Sequence, residues 1–327
     1  RLEGSPGFVR LTRDGDFTVD LEEEDTESIP DVVRTGLGSR EKGRPVRMQY
    51  LGEIPESLLR YAMNSLKLPP GQILPAPNTL CLSGLWTVVN LTSPEVAARP
   101  QLKYSQHESK LPPRMHGPEY NDVLLHHPYD SFEGFVNWIR EACEDPQVIQ
   151  IEQTVYRMDA LSPVIGALKA AAKTKRIRVI IELRARFDEL NNLSLADELR
   201  KAGVEVAFGF GKLKLHAKIA LVTRMEKDPV TGQEHARLYT HLSTGNYNAF
   251  TSRQYTDLAI LTGHPEIGAD ARLFFDAVWK GEVPTSFKQL VSAPAKLHRL
   301  LLNHIQAETQ AAKEGRRARI VAKVNAL

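Results

Sequence analysis

The run LKLHAK at residues 213–218 places one histidine, His216, two positions from a lysine on either side, Lys214 and Lys218. In a strand alternate side chains share a face, so these three would point one way while Leu213, Leu215 and Ala217 point the other. Two ammonium groups beside an imidazole oppose its protonation and keep it in the neutral, nucleophilic form. The same charges would draw a phosphate toward it. A single histidine on a strand also serves as an ordinary packed residue, and the flanking lysines are what favour chemistry. A second segment, STGN at 243–246, follows an expected strand. There Gly245 permits backbone N–H groups to approach an anion closely, and the Thr244 hydroxyl and Asn246 amide add donors; an ordinary turn is the alternative. A third sets Tyr156 and Arg157 beside ELRARFDE at 182–189. Arg157 closes one expected strand, Arg184 and Arg186 close the next on a shared parity, and guanidinium forks match phosphate oxygens bidentately. Asp188 and Glu189 either hold a Mg²⁺ ion or neutralise the arginines.

Such residues need a sheet whose strand ends meet, and the pattern from His126 onward supplies one. Asp130 and Glu133 are spaced as a capping box, ahead of Phe132, Phe135, Val136 and Ile139 at helical spacing. Apolar runs predict strands at 148–155, 176–183, 204–208, 213–222, 237–243 and 255–261, with helices at 161–173, 193–202 and 267–279. The expectation is an α/β domain, strands buried between helices, with its site at strand ends. Ahead of it, alternation around Asp14 and Gly15 signals a hairpin, a strand is expected at 46–51 and a helix at 56–66. Behind it come a helix at 296–313, stopped by Gly315, and a strand at 318–324. The expected division is a small α+β unit at 1–118, the α/β domain at 119–290, and a helix and strand at 291–327.

The composition, 42% hydrophobic and 25% charged, belongs to a globular protein rather than a disordered or fibrous one. No apolar run approaches the roughly 18 residues of a membrane span, and a cytoplasmic setting is expected, with membrane association left open. The two cysteines, Cys81 and Cys143, show neither metal spacing nor a disulfide framework and are expected buried and reduced. The net charge is only +2, but acidic residues crowd 14–31 and basic ones 173–186 and 313–323, which suits an anionic ligand met by the later part of the chain. The chain opens without Met and ends at VNAL, so a fragment of a longer protein is expected.

The order and wording of these segments resemble the type-one polyphosphate kinase family. The matching pieces are HHPYDSF at 126–132, VYR at 155–157, ELRARFDE at 182–189, LKLHAK at 213–218, STGNYN at 243–248 and YTDL at 255–258. The resemblance runs from about 121 to 327 and more weakly over 8–50. It implies the end of a head domain, a first C-terminal catalytic domain with a phospholipase D-like sheet flanked by helices, and the entrance of a second such domain. It further implies reversible transfer of the terminal phosphate of ATP to polyphosphate through a phosphohistidine, with Mg²⁺. In that scheme His216 is the acceptor, assisted by Lys218. Tyr255 is associated with the nucleotide, and Lys214, Thr244, Gly245 and Asn246 surround the phosphates. Arg157 and Arg186 belong to the Mg²⁺ site, although a guanidinium has no lone pair for a metal and is better suited to grip phosphate oxygens. The implied partners are ATP, ADP and polyphosphate, with no specific nucleic acid, and the full-length protein is expected to be a homo-oligomer. Ser243 stands where the family usually has Gly, and Lys214 and Leu215 replace its commoner residues. Two other readings compete. One is a phospholipase D-type phosphodiesterase or nuclease, whose motif wants an acidic residue where Thr223 stands; the other is a non-catalytic module that binds polyanions through its basic face.

Overall fold

The computed structural model describes residues 7–14, 30–31, 33–34, 43–76, 84–85, 122–158, 162–185, 188–209, 213–228 and 230–323. The chain divides into two compact units, Arg1–Ser105 and Gln106–Leu327. In the first, β1 (Phe8–Arg13) pairs antiparallel with β2 (Pro45–Leu51), and β2 pairs parallel with the short β3 (Ile73–Pro75). Helix α1 (Glu56–Leu66) spans the residues expected for it and stops where Lys67 turns left-handed, its φ being 53°. The partner strand of the hairpin expected around Gly15 lies outside the described residues.

In the second unit the elements are β4 (Val123–His127), α2 (Glu133–Glu144), β5 (Val148–Val155), α3 (Pro163–Ala171), β6 (Arg176–Ile181), α4 (Glu189–Lys201) and β7 (Glu205–Phe208). There follow β8 (Lys218–Lys227), β9 (Glu234–Ser243), β10 (Asp257–Thr262), α5 (Pro265–Trp279) and α6 (Leu297–Lys313). Seven strands form one mixed sheet in the order β4-β10-β9-β8-β5-β6-β7. Strands β5, β6 and β7 are parallel, and every other neighbouring pair is antiparallel. Apart from Ile149 and Arg176, β5 and β6 are buried on both faces, and their buried charges pair: Arg178 with Glu152 at 2.8 Å. On one face Ala271, Phe275 and Val278 of α5 pack with Ile180, Ile219 and Leu221. On the other, Phe135 and Trp138 of α2 meet His241 at ring distances of 4.5 and 6.2 Å. Each fully buried Phe or Ile of these layers contributes roughly 1.5–3 kcal/mol. The long β8–β9 hairpin closes on a turn in which the Asp228 carboxylate accepts the N–H groups of Val230 and Thr231 at 2.9 and 2.7 Å.

Several expectations need correction. Strand β4 was not anticipated. Asp130 does not cap α2: its Oδ2 accepts the His126 N–H at 2.7 Å, tying the chain back to β4, and the helix starts at Glu133 with the Ser131 hydroxyl beneath it. Strand β8 begins at Lys218 rather than 213, because side chains take the backbone groups of 213–217 before a ladder forms. Residues 318–323 form no strand; the Arg319 N–H goes to Glu308 (2.9 Å) and Lys323 Nζ to the Thr256 carbonyl (2.7 Å). Cys143 is half-buried, with burial pushing its thiol up to about 12, and Cys81 lies outside the described residues. Among the described residues no helix is long and apolar enough to cross a membrane.

Candidate active site

Antiparallel pairing of β5 with β8 sets the start of β8 beside the end of β5, and the parallel β6 and β7 end at the same edge. Register brings Ser243 opposite both Lys218 and Ala259, and Asp257 opposite His127. One sheet edge therefore collects residues 155–157, 181–184, 213–218, 243–246 and 255–257.

Tyr156 lies at the centre of that edge. The His216 imidazole meets its ring edge-on, centroids 5.0 Å apart at 78°. Lys218 Nζ lies 5.0 Å, Lys214 Nζ 5.3 Å and Arg157 Cζ 5.7 Å from the same ring centroid. Lys214, His216 and Lys218 thus converge as expected, but Lys214 and His216 do so from an extended segment ahead of β8 and Lys218 from its first residue. That segment is clamped. Glu182, 1% exposed, accepts the Leu215 N–H on Oε2 (2.5 Å) and the Arg184 N–H on Oε1 (2.8 Å). Arg184 in turn donates to Glu182 Oε1 (3.2 Å) and to the Leu213 carbonyl. The Thr154 hydroxyl bonds the Ala217 carbonyl at 2.8 Å, and Lys218 Nζ the His216 carbonyl at 2.6 Å. Asn192, fully buried in α4, donates to the carbonyls of both Tyr156 (3.0 Å) and Glu182 (2.9 Å), locking together the two strand ends that carry them.

Partial burial, then the charges of Lys218 and Lys214, hold the His216 imidazole below its ordinary range, with Glu182 acting weakly the other way. Burial brings Lys218 down to about 8; Asp257 opposes this, and Arg157 and Lys214 reinforce it. The edge therefore presents a neutral imidazole among cations. His216, Lys214 and Lys218 also line a cleft of about 590 Å³, together with the apolar Leu242, Ile260, Phe274 and Leu290.

The turn at 243–246 spends most of its donors internally. Thr244 bonds Asp257 Oδ1 through its hydroxyl (2.8 Å) and the Leu258 carbonyl through its N–H (2.9 Å), while the Gly245 N–H goes to the Ser243 hydroxyl (3.0 Å). Gly245 is required by Asp257, since a Cβ there would lie 2.5 Å from its Oδ2. The Asn246 Oδ1 is buried without a hydrogen-bond partner. Tyr255 is half-exposed two residues before Asp257. Arg157 Nε pairs with Asp188 Oδ2 at 2.6 Å, and Arg186 lies outside the described residues. His127 is a buried structural residue, its Nδ1 at 2.8 Å from the Asp130 carbonyl.

Comparison with known proteins gives this edge a context. The family described as polyphosphate kinase C-terminal domain 1 matches residues 116–283, half of the chain, and the polyphosphate kinase middle domain matches 5–88. The chain belongs to the polyphosphate kinase family. A polyphosphate kinase of Neisseria gonorrhoeae is 36% identical over 326 residues, covering 97% of this chain and 46% of its relative. One from Mycolicibacterium gilvum is 36% identical over 324 residues, covering 97% and 43%. The chain thus spans less than half the length of these curated relatives. The crystal structure of the Porphyromonas gingivalis polyphosphate kinase aligns with a TM-score of 0.68 at 27% identity, covering 94% of this chain and 43% of that one.

Membership in the polyphosphate kinase family sharpens the question of Mg²⁺. Among the described residues no group of three or more His, Cys, Asp or Glu side chains is placed to hold a metal. Asp188 is engaged by Arg157, and Glu189 is buried. The described side chains alone do not form a Mg²⁺ site. Sequence reasoning had also passed over Glu182 and Asn192. The signal for Glu182 was present: a lone carboxylate directly after the strand-like run IRVII has to find donors.

Proposed function

We propose that this protein takes part in phosphoryl transfer between ATP and polyphosphate, with His216 as the acceptor. The observation that carries the reading is the His216 imidazole held edge-on to the Tyr156 ring among Lys214, Lys218 and Arg157. A ring nitrogen of His216 would attack the terminal phosphorus of ATP. The bond from that phosphorus to the bridging oxygen would break, and ADP would leave with the electron pair. The same steps, with the terminal oxygen of a polyphosphate chain attacking the phosphohistidine, would pass the group on, and both steps run in either direction. Lys214 and Lys218 would neutralise charge on the transferring group, and Arg157 would grip phosphate oxygens bidentately. Tyr255, Thr244, Gly245, Asn246 and Arg186 complete the proposed nucleotide and phosphate contacts. Mg²⁺ fits this reading as a counter-ion of the nucleotide phosphates rather than as an ion caged by the described side chains.

The domain division at 118 and 290 enters as part of the proposal, supported by the ranges 5–88 and 116–283 of the two family matches. A homo-oligomeric, cytoplasmic full-length enzyme completes it. The phosphodiesterase reading is disfavoured by Thr223, which lies well inside β8 and receives Arg272 rather than facing the site.

The test is incubation with ATP labelled at its γ-phosphate. A label on His216 that is stable in base and labile in acid, and that is lost in His216→Ala but kept in His126→Ala, supports the reading. Label retained by His216→Ala would overturn it. Failure of any label to form would leave the polyanion-binding module as the better account.

A further inference from the structure

We propose that Tyr156 is a positioning residue of the site: its ring gathers Lys214, Lys218 and Arg157 around His216 and fixes the plane of the imidazole. The significance of this role rests on His216 being the phosphate acceptor. Three cationic groups lie within 5.0–5.7 Å of one ring centroid, and cations drawn to one place repel each other. A carboxylate at the centre would hold them, but it would also repel an incoming phosphate and compete with it for the same donors. An aromatic ring attracts cations through its quadrupole while carrying no net charge. It therefore holds the cluster without taking the anion's place. The edge-on contact with His216 is an arrangement that aromatic pairs prefer.

The surroundings agree with this assignment. The nearby carboxylates leave the two lysines to the ring: Asp188 pairs with Arg157 from outside the cluster, Asp257 accepts the Thr244 hydroxyl and acts on Lys218 only through its charge, and Glu182 is held by the backbone of residue 215 and by Arg184. The backbone that carries the ring is anchored, because Asn192 donates to the Tyr156 carbonyl at 3.0 Å.

A series at position 156 separates the π face from mere packing: Tyr156→Phe, then mono-, di- and trifluorinated phenylalanine, which keep the shape and progressively drain the ring face. The readout is the NMR titration of the Lys218 side-chain ammonium. Asp257, Arg157 and Lys214, the charged groups that face it, stay the same throughout the series. A cation–π contact stabilises the charged amine, so Lys218 proton affinity is expected to fall stepwise, by about three-fold from Phe to the trifluorinated ring. The rate of γ-phosphate labelling should fall in parallel. A flat Lys218 titration across the series would overturn the proposal and reduce Tyr156 to packing. A stepwise titration with label on a residue other than His216 would keep the ring's role and reject the acceptor assignment.

Discussion

Glu182→Gln tests the clamp on the nucleophile segment. The carboxylate accepts the Leu215 N–H at 2.5 Å and the Arg184 N–H and Nε at 2.8 and 3.2 Å, while only 1% exposed. A glutamine presents one carbonyl oxygen and one NH₂, so either Leu215 or Arg184 must face a donor. A buried donor left unsatisfied costs roughly 1–3 kcal/mol, and removing the charge from a charge-assisted bond adds about 1 kcal/mol. The loss of about 2–4 kcal/mol falls on residues 213–217, which have no strand ladder to fall back on. At 1.4 kcal/mol per factor of ten, Leu215 amide hydrogen exchange should accelerate by about 30- to 1000-fold. Amides in the centre of β5 should keep their protection. Labelling of His216 should slow by about 10²-fold, because a displaced nucleophile loses its attack geometry. Leu215 exchange within three-fold of the parent protein, in a folded variant, would refute the clamp.

Two further outcomes follow from the electrostatics and the packing. His216 must be neutral to attack, and its folded value lies below 6.5, so labelling is lost only as pH falls through that lower value; Lys218, cationic below about 8, sets the upper limb. A pH–rate profile of label formation should therefore show a plateau between a limb below 6.5 and one near 8, and Lys218→Arg should move the upper limb to higher pH; an acid limb above pH 7 would contradict this. Gly245→Ala puts a methyl 2.5 Å from Asp257 Oδ2 and 2.7 Å from its Cγ, so Asp257 must move and the Thr244 bond break. Denaturant titration should show a loss of about 1–3 kcal/mol, and an unchanged midpoint would show that the turn yields freely.

Much of this architecture was legible because burial and periodicity agreed. Strand β5 and helix α1 lie where the apolar patterns put them, since both are regular elements with clear stops. The placing of Arg157 and His216 at one sheet edge was legible, because strand ends are the natural place for such residues, while Arg186, expected with them, lies outside the described residues. What escaped were features in which a side chain substitutes for a ladder. The alternation of 213–217 looks like a strand, yet Glu182 takes the Leu215 N–H and Arg184 the Leu213 carbonyl in place of a ladder. Asp130 and Glu133 have cap spacing, but the Asp130 carboxylate found the His126 N–H first. Strand β4 hid because its histidines read as polar, although His127 is only 4% exposed. Asn192 gave no signal at all, since its two acceptors are backbone carbonyls from different strands.

The β8–β9 hairpin has a practical consequence. Strand β8 runs ten residues from Lys218 at the site edge to Lys227 at the other end, nine steps that span roughly 30 Å at about 3.3 Å each. The turn beyond it is built from its own Asp228 carboxylate, and Val230 is 91% exposed. Chain added between Val230 and Gly232 would hang from the far rim of the sheet without touching the edge that holds His216. That turn is a natural point for a fluorophore or a surface tether, where the molecule can be held by one end while its chemistry is watched at the other.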